Sequence, residues 1–140
     1  MKSSLLIILI FTSFATWAQI VAPAKTTSDK TIYDSVTQMP QFPGTAQYRG
    51  GETGLLNFLM HNIRWPKEAL ESQIEGVEYV SFVVNTDGTI SDIKVVKDIG
   101  GGCGDEVIRV IKLMPKWTPG KNNGLPVNVR YVLPVNFKLR

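Results

Sequence analysis

The strongest constraint on the fold is a regular alternation of apolar and polar residues near the C-terminus. Every second residue from Val127 to Leu139 is apolar, and the positions between them include Asn128, Arg130, Asn136 and Lys138. Successive side chains of a β-strand point to opposite faces of the sheet, so a period of two predicts a strand with one buried and one solvated face. The chain must therefore place this last strand against a core.

Pro134 determines where in the sheet this strand lies. Proline has no backbone N–H, so it does not fit a strand that is paired on both sides, and the strand is predicted to be an edge. In an antiparallel strand each residue directs both backbone groups to one side, and neighbours alternate. The candidate partner-binding residues of the same parity are Asn128, Arg130, Val132, Asn136 and Lys138. Their outward groups form a row that another extended peptide can pair with.

Two further strands precede this edge and form a hairpin. Val77 to Val84 is rich in β-branched and aromatic residues and is apolar on both faces except at Glu78 and Ser81, which favours a central strand. The sequence NTDG then turns the chain, and Asp87 and Gly88 are predicted to supply the positive φ angles of a tight hairpin. Residues 90–97 return as the second strand.

Three helices are predicted between and before the strands. Apolar residues spaced by four predict a helix over residues 52–62, and Pro66 is placed where a second short helix begins. After the glycine-rich loop, a third helix carries an apolar stripe at Val107, Val110, Ile111 and Met114. Because this helix connects the second strand to the third, the connection is a crossover, and the expected strand order is 2-1-3. The predicted fold is α+β, a three-stranded antiparallel sheet with helices packed on one face.

The N-terminus has the layout of a secretory signal. Lys2 precedes an apolar run from Leu5 to Phe14, and small residues surround Trp17, so residues 1–18 are predicted to be a signal peptide cleaved before Gln19. The alternative is an uncleaved anchor, because the apolar window extends to Ala24 and about 20 such residues span a bilayer. Residues 19–40 are predicted to be a short linker and residues 41–140 the folded domain. The domain is expected in the periplasm, with membrane contact only if the segment stays uncleaved.

Charge is distributed unevenly along the 140 residues. Residues 105–140 carry seven lysines or arginines against two acids, whereas residues 19–104 carry seven against ten. The basic C-terminal part favours an acidic partner, but nucleic-acid binding normally requires a denser basic stripe with interleaved aromatics. No nucleic acid is expected as a partner.

Groups able to perform catalysis are sparse in this sequence. Cys103 is the only cysteine and His61 the only histidine, so neither has the partners that a thiolate metal site or a general base requires. The stretch GGGCGD lacks the lysine and the glycine spacing of a phosphate-binding loop. We therefore expect no enzymatic activity, no catalytic residue, no cofactor and no metal.

The order of these segments resembles the C-terminal periplasmic domain of the TonB energy-transducer family. The matching stretches are WPKEALESQIEGVEYVSFVVNTDGTISDIKVVKD and GCGDEVIRVIKLMPKWTPGKNNGLPVNVRYVLPVNFKL, preceded by QFPG and FLMHNIRWP. Together they cover residues 40–140. The combination of a proline-started helix, a hairpin, a helix ending in W-x-PGK and an alternating final strand is specific, whereas any one of these pieces alone is not.

This resemblance implies a function in protein recognition. The domain is expected to bind the extended box segment of outer-membrane receptors as a strand added beside Val127 to Leu139, with Arg64, Trp65 and Pro66 helping to hold the receptor. The sequence departs from the family because its N-terminal segment looks cleavable and its linker is short, and a free domain cannot transmit force. The alternative is a structural envelope protein that forms homodimers or binds cell-wall material through the same edge and its basic C-terminal half.

Overall fold

The computed structural model describes residues 31–140, which form a main sheet with helices packed against it and a small separate ribbon. The predicted signal peptide and most of the predicted linker lie outside these residues. The helices are α1 (Gly51–Asn62), α2 (Lys67–Glu71) and α3 (Cys103–Ile111). The strands are β1 (Ile32–Tyr33), β2 (Gly76–Val84), β3 (Ile90–Lys97), β4 (Lys121–Asn122), β5 (Leu125–Pro126) and β6 (Asn128–Phe137).

The main sheet has the strand order β1-β6-β2-β3. The predicted α+β class and the central position of β2 between β3 and β6 are confirmed, with both neighbours antiparallel to β2. The predicted number of strands is wrong, because a fourth strand, β1, pairs in parallel with the start of β6. Two residues are too few to produce a periodic sequence pattern, so only the tertiary pairing defines this strand. β4 and β5 form a separate two-stranded ribbon.

The core lies between the helices and one face of the sheet. Alternate residues of β2 and β6 project into it, and the helices cover them with apolar side chains. The buried apolar residues that form this cluster include Phe42, Leu55, Phe58, Leu59, Val80, Phe82, Val84, Val107, Val110, Ile111, Trp117, Leu133, Val135 and Phe137. The alternating pattern of β6 and the helical stripe of α3 thus pack against each other across one layer.

Close packing of α3 on the sheet depends on a glycine in its first turn. A Cβ atom at Gly104 would lie 3.0 Å from both Glu78 Oε1 and Val95 Cγ2. Contacts this short are rare between real side chains, so a larger residue would push the helix away from β2 and β3. Gly104 therefore lets α3 approach the sheet closely.

Two local details differ from the sequence-based expectation. Pro66 is the N-cap of α2, and the helix itself starts at Lys67. In the hairpin turn, Gly88 has a φ of +84° and Asp87 does not have a positive φ. Gly88 N donates to Asn85 O at 2.9 Å, which closes a four-residue turn that ends on the left-handed glycine. The strands still end at Val84 and resume at Ile90 as predicted, because only the last residue of the turn needs this conformation.

Residues 37–42 run along the domain and are attached to it by backbone hydrogen bonds. Gln38 pairs with Lys121 and Gln41 pairs with Thr118 as isolated antiparallel bridges. Phe42 is 2% exposed and packs on Trp117, with ring centroids 6.0 Å apart. This stretch closes one side of the core before α1 begins.

Candidate protein-binding edge

One side of β6 is open over most of its length. Its inner side pairs with β2 in an unbroken register from Val84 opposite Val129 to Gly76 opposite Phe137. Its outer side pairs with β1 only at Asn128 and Val129. Among the described residues no other strand joins this side, so the edge is unpaired from Arg130 to Phe137.

Side-chain exposure along β6 follows the predicted alternation. Leu133, Val135 and Phe137 are buried, whereas Val132 is 48% exposed and Pro134 and Asn136 are exposed. Pro134 stands opposite Tyr79 within the continuous antiparallel register. A residue without a backbone donor fits such a ladder where its groups point away from the partner strand. The register is therefore compatible with an outward row that contains Arg130, Val132 and Asn136.

The beginning of β6 is anchored by other parts of the chain. Ile32 stands opposite Asn128, and the Asn128 side-chain oxygen accepts a hydrogen bond from Thr86 N at 3.0 Å. Arg130 Nε lies 3.3 Å from Asp34 Oδ1, although the Asp34 side chain is 83% exposed. Asn128, one of the predicted partner-binding residues, is thus engaged within the chain, and the open part of the edge begins after Val129.

The segment that contains Arg64, Trp65 and Pro66 is held next to the other end of β6. Its anchor is the ion pair of Glu106 and Arg109, whose closest atoms are 2.6 Å apart. Glu106 Oε1 accepts from Arg64 N at 2.8 Å, and Arg109 Nη2 donates to the carbonyl oxygen of Asn62 at 2.9 Å. The hydrogen bond from Arg109 is the main reason that the pKa of Glu106 is lowered, so Glu106 remains an acceptor at neutral pH.

Trp65 connects this anchored segment to the edge strand. Its ring meets that of Phe137 edge to face, with centroids 5.4 Å apart and planes at 89°. Trp65 is partly buried, while Arg64 is exposed. The structure therefore brings together Trp65 and the end of β6, which the sequence analysis proposed as two separate parts of the binding site. Lys138 lies just beyond β6 at the same end.

A cleft of about 450 Å³ opens where α1, Trp65 and the second half of β6 meet. Its walls include Leu56 and Met60 from α1 and Pro134, Asn136 and Lys138 from the edge region. Leu56 is 50% exposed and Met60 74% exposed. We call this feature the α1 cleft.

Sequence reasoning missed Leu56 and Met60 as site residues. Both lie beside the stripe of Leu55, Leu59 and Ile63 that predicted the helix. The sequence feature that could have revealed them is the width of the apolar face of α1. A helix that only covers a core needs no apolar residues outside its buried face. Which part of the apolar face would stay uncovered depended on how α1 packs.

Two titratable groups, Glu78 and Cys103, are buried in the core. Glu78 is completely buried, and its Oε2 accepts from Ile99 N at 2.9 Å while Oε1 has no hydrogen-bond partner. Burial is the main reason that the pKa of Glu78 is raised. Burial, followed by the nearby Glu78 and Asp98 carboxylates, also raises the pKa of the Cys103 thiol, which keeps it protonated and unreactive.

The family comparison agrees with the resemblance seen in the sequence. Residues 61–139 match the family described as the Gram-negative bacterial TonB protein C-terminal. A solution structure of Helicobacter pylori TonB residues 179–285 is similar at 28% identity and a TM-score of 0.45, covering 61% of this chain and 78% of that one. A second one, of residues 194–285, shows 29% identity and a TM-score of 0.41, with coverages of 60% and 88%. No curated protein matches the sequence.

The fold and the edge define a small α+β domain with an open strand beside an apolar cleft. Because the family match spans more than half of the chain, the protein belongs to the TonB C-terminal domain family. This is a family of periplasmic interaction domains. Within residues 31–140, none of the helices has the length and apolar character needed to cross a membrane.

Proposed function

We propose that this protein recognises an extended segment of an outer-membrane receptor by adding that segment as a strand to the open edge of β6. The observation that carries the proposal is the unpaired outer side from Arg130 to Phe137. An edge of this kind offers main-chain hydrogen bonds to any extended chain, and flanking side chains select among them.

The domain's own β1 supports strand addition at this edge. Ile32 and Tyr33 already extend the sheet beside Asn128 and Val129. The outer side of β6 is therefore geometrically able to accept a parallel strand at its beginning. An external segment would continue the same kind of pairing along the rest of β6 without moving the core.

The proposed role is periplasmic recognition, and export depends on the predicted signal peptide. A domain released by cleavage before Gln19 would bind receptors without pulling on them, whereas an uncleaved anchor would make it part of an energy-coupling assembly. Mass spectrometry of the mature N-terminus distinguishes these two outcomes. The binding chemistry of the β6 edge is the same in both.

The direct test is titration of isotope-labelled protein with synthetic peptides that carry receptor box segments. We expect backbone amide shifts along Arg130 to Lys138 and none along β3. The variant Val132→Pro removes one outward donor and should abolish measurable binding while leaving the pairing with β2 intact. The matched control is Val132→Thr, which keeps the N–H and should bind like the parent protein.

Two results would contradict the proposal. The first is binding by Val132→Pro with unchanged affinity, because the edge would then not be the site. The second is the absence of peptide binding together with self-association that increases with protein concentration. That result would favour the alternative of an envelope protein that uses this edge to dimerise.

A further inference from the structure

The helix α1 lies alongside the open edge and runs in the same direction as β6. Glu52 and Leu55, in its first half, line a cleft together with Tyr131, near the start of β6. Ile63, just beyond its end, lines the α1 cleft with residues 134–138. The start of α1 therefore lies near the start of β6, and the end of α1 lies near the end of β6. The helix runs beside the edge over most of its length.

The side of α1 that faces this edge is apolar and uncovered. Leu56 and Met60 are one helical turn apart, and both line the α1 cleft while half or more of each remains exposed. Leu113 and Leu125 are also exposed, but neither lines this cleft. A pair of large apolar side chains beside an unpaired strand is typical of an interaction surface.

The spacing of these two side chains matches that of an added strand. Four residues of an α-helix rise about 6 Å. Two residues of a β-strand, which bring the side chain back to the same face, rise about 6.6 Å. A strand paired with β6 would therefore present successive side chains of one face to Leu56 and then to Met60.

We propose that Leu56 and Met60 form the second wall of the binding edge and select partner segments with apolar side chains at alternate positions. This inference rests on the proposed strand addition and specifies the partner's chemistry. The partner's main chain pairs with β6, and every second side chain enters the α1 cleft against Leu56, Met60 and Trp65. The intervening side chains project to the opposite face of the sheet, where solvent accepts polar residues.

The test uses two capped eight-residue peptides and measures both the position and the strength of binding. In the first peptide valine alternates with threonine, and in the second serine replaces every valine. Titration of the labelled full chain should give amide shifts along Arg130 to Phe137 with the first peptide. The serine peptide should bind at least about tenfold more weakly, because it buries no apolar surface in the cleft.

Three variants connect this preference to α1. Leu56→Gln and Met60→Gln should each lower the affinity for the valine peptide about tenfold and leave the affinity for the serine peptide unchanged. The matched control is Leu113→Gln, which replaces a leucine with 54% exposure that lies away from the cleft and should change neither affinity. All four proteins should unfold at similar urea concentrations, since the replaced side chains are exposed.

The results separate this inference from the proposed function. If receptor segments and both peptides shift the β6 amides with equal affinity, and both α1 variants bind normally, strand addition holds and the selection by α1 is overturned. If no peptide shifts the β6 amides, both are overturned. Self-association that Met60→Gln abolishes, without peptide binding, would assign the cleft to a second copy of the chain and also overturn the inference.

Discussion

The sheet has two open sides, the outer side of β6 beyond the two residues that pair with β1 and the outer side of β3, and they are built differently. β6 keeps an unbroken register with β2, and its exposed positions are a valine, a proline and an asparagine. β3 pairs with β2 through register shifts between Tyr79 and Val80 and between Ser81 and Val83. Asp92 in β3 has a φ of +50°, and its carboxylate lies 3.3 Å from Lys94 Nζ.

This contrast shows two ways of managing a free edge. Irregular backbone and charged side chains at β3 discourage another strand from pairing there. The β6 edge is regular enough for another strand to pair with it. The length open to pairing is limited by β1 at one end, and the α1 cleft borders the edge along its side. Under the proposed function, a domain with one regular and one irregular edge would add a partner strand at only one of them.

The largest expected effect is on the end of the β6 edge, in the variant Trp65→Ala. Loss of the ring contact with Phe137 should lower the free energy of unfolding by about 2–4 kcal/mol, as for other large-to-small changes at packed aromatics. Urea unfolding measures the loss. Amide shifts should change near Phe137 and stay constant in β3, and Trp65→Phe should recover most of the stability. A uniform change at both edges would contradict the local role of Trp65.

Glu78 lies in β2, between β6 and β3, so a substitution there should change the stability of both edges equally. Glu78→Gln removes a buried carboxylate whose Oε1 has no partner and should stabilise the protein at neutral pH by about 1–3 kcal/mol. The new amide can donate to Asp98, and its oxygen can still accept from Ile99 N.

The pH dependence of this effect follows from the raised pKa of Glu78. The Glu78 carboxyl binds its proton more tightly in the folded state than in the unfolded state. The stability that protonated Glu78 contributes is therefore fully present below the ordinary pKa of 4.5, and it is lost as pH rises through the raised pKa. The parent protein should therefore lose stability relative to Glu78→Gln as pH rises above about 4.5. Parallel pH curves for the two proteins would show that Glu78 is not the group responsible.

At the β3 edge, Asp92→Val should destabilise the protein by about 1–2 kcal/mol. A β-branched residue is unfavourable at a φ of +50°, whereas aspartate tolerates it. Asp92→Gly is the control and should be at least as stable as the parent protein in urea unfolding. Peptide binding at β6 should be unchanged in both variants. Reduced binding would mean that the two edges are coupled through β2.

The smallest expected effect is at the start of β6, in Asp34→Asn. The ion pair with Arg130 involves a largely exposed carboxylate, so stability should change by less than about 0.5 kcal/mol.

Removal of residues 1–34 goes further, because it frees the outer side of Asn128 and Val129. The shifts caused by a bound peptide should then extend to these two residues. An unchanged footprint would show that β1 does not limit the edge.

Much of the edge was predictable because its information is local. The alternation in β6, the missing donor of Pro134 and the turn at Gly88 each act within a few residues, so the strand and its open side beyond Val129 followed from the pattern. The prediction that the whole strand is an edge was wrong at Asn128 and Val129, which pair with β1. α1 and α3 were found for the same reason, since their apolar stripes repeat along the chain, and α2 was found from the position of Pro66. These features determine the elements, their order and the family.

The sequence by itself determined that this chain forms a hairpin, a crossover helix and a final strand with one side open at Pro134, because periodicity and proline chemistry are encoded residue by residue. Only the tertiary structure decided that Ile32 and Tyr33 would cover the start of that edge, that Glu106 and Arg109 would hold Trp65 beside Phe137, and that Leu56 and Met60 would stay uncovered next to it. Each of these depends on contacts between residues far apart in the chain, and no local pattern specifies which distant surfaces meet.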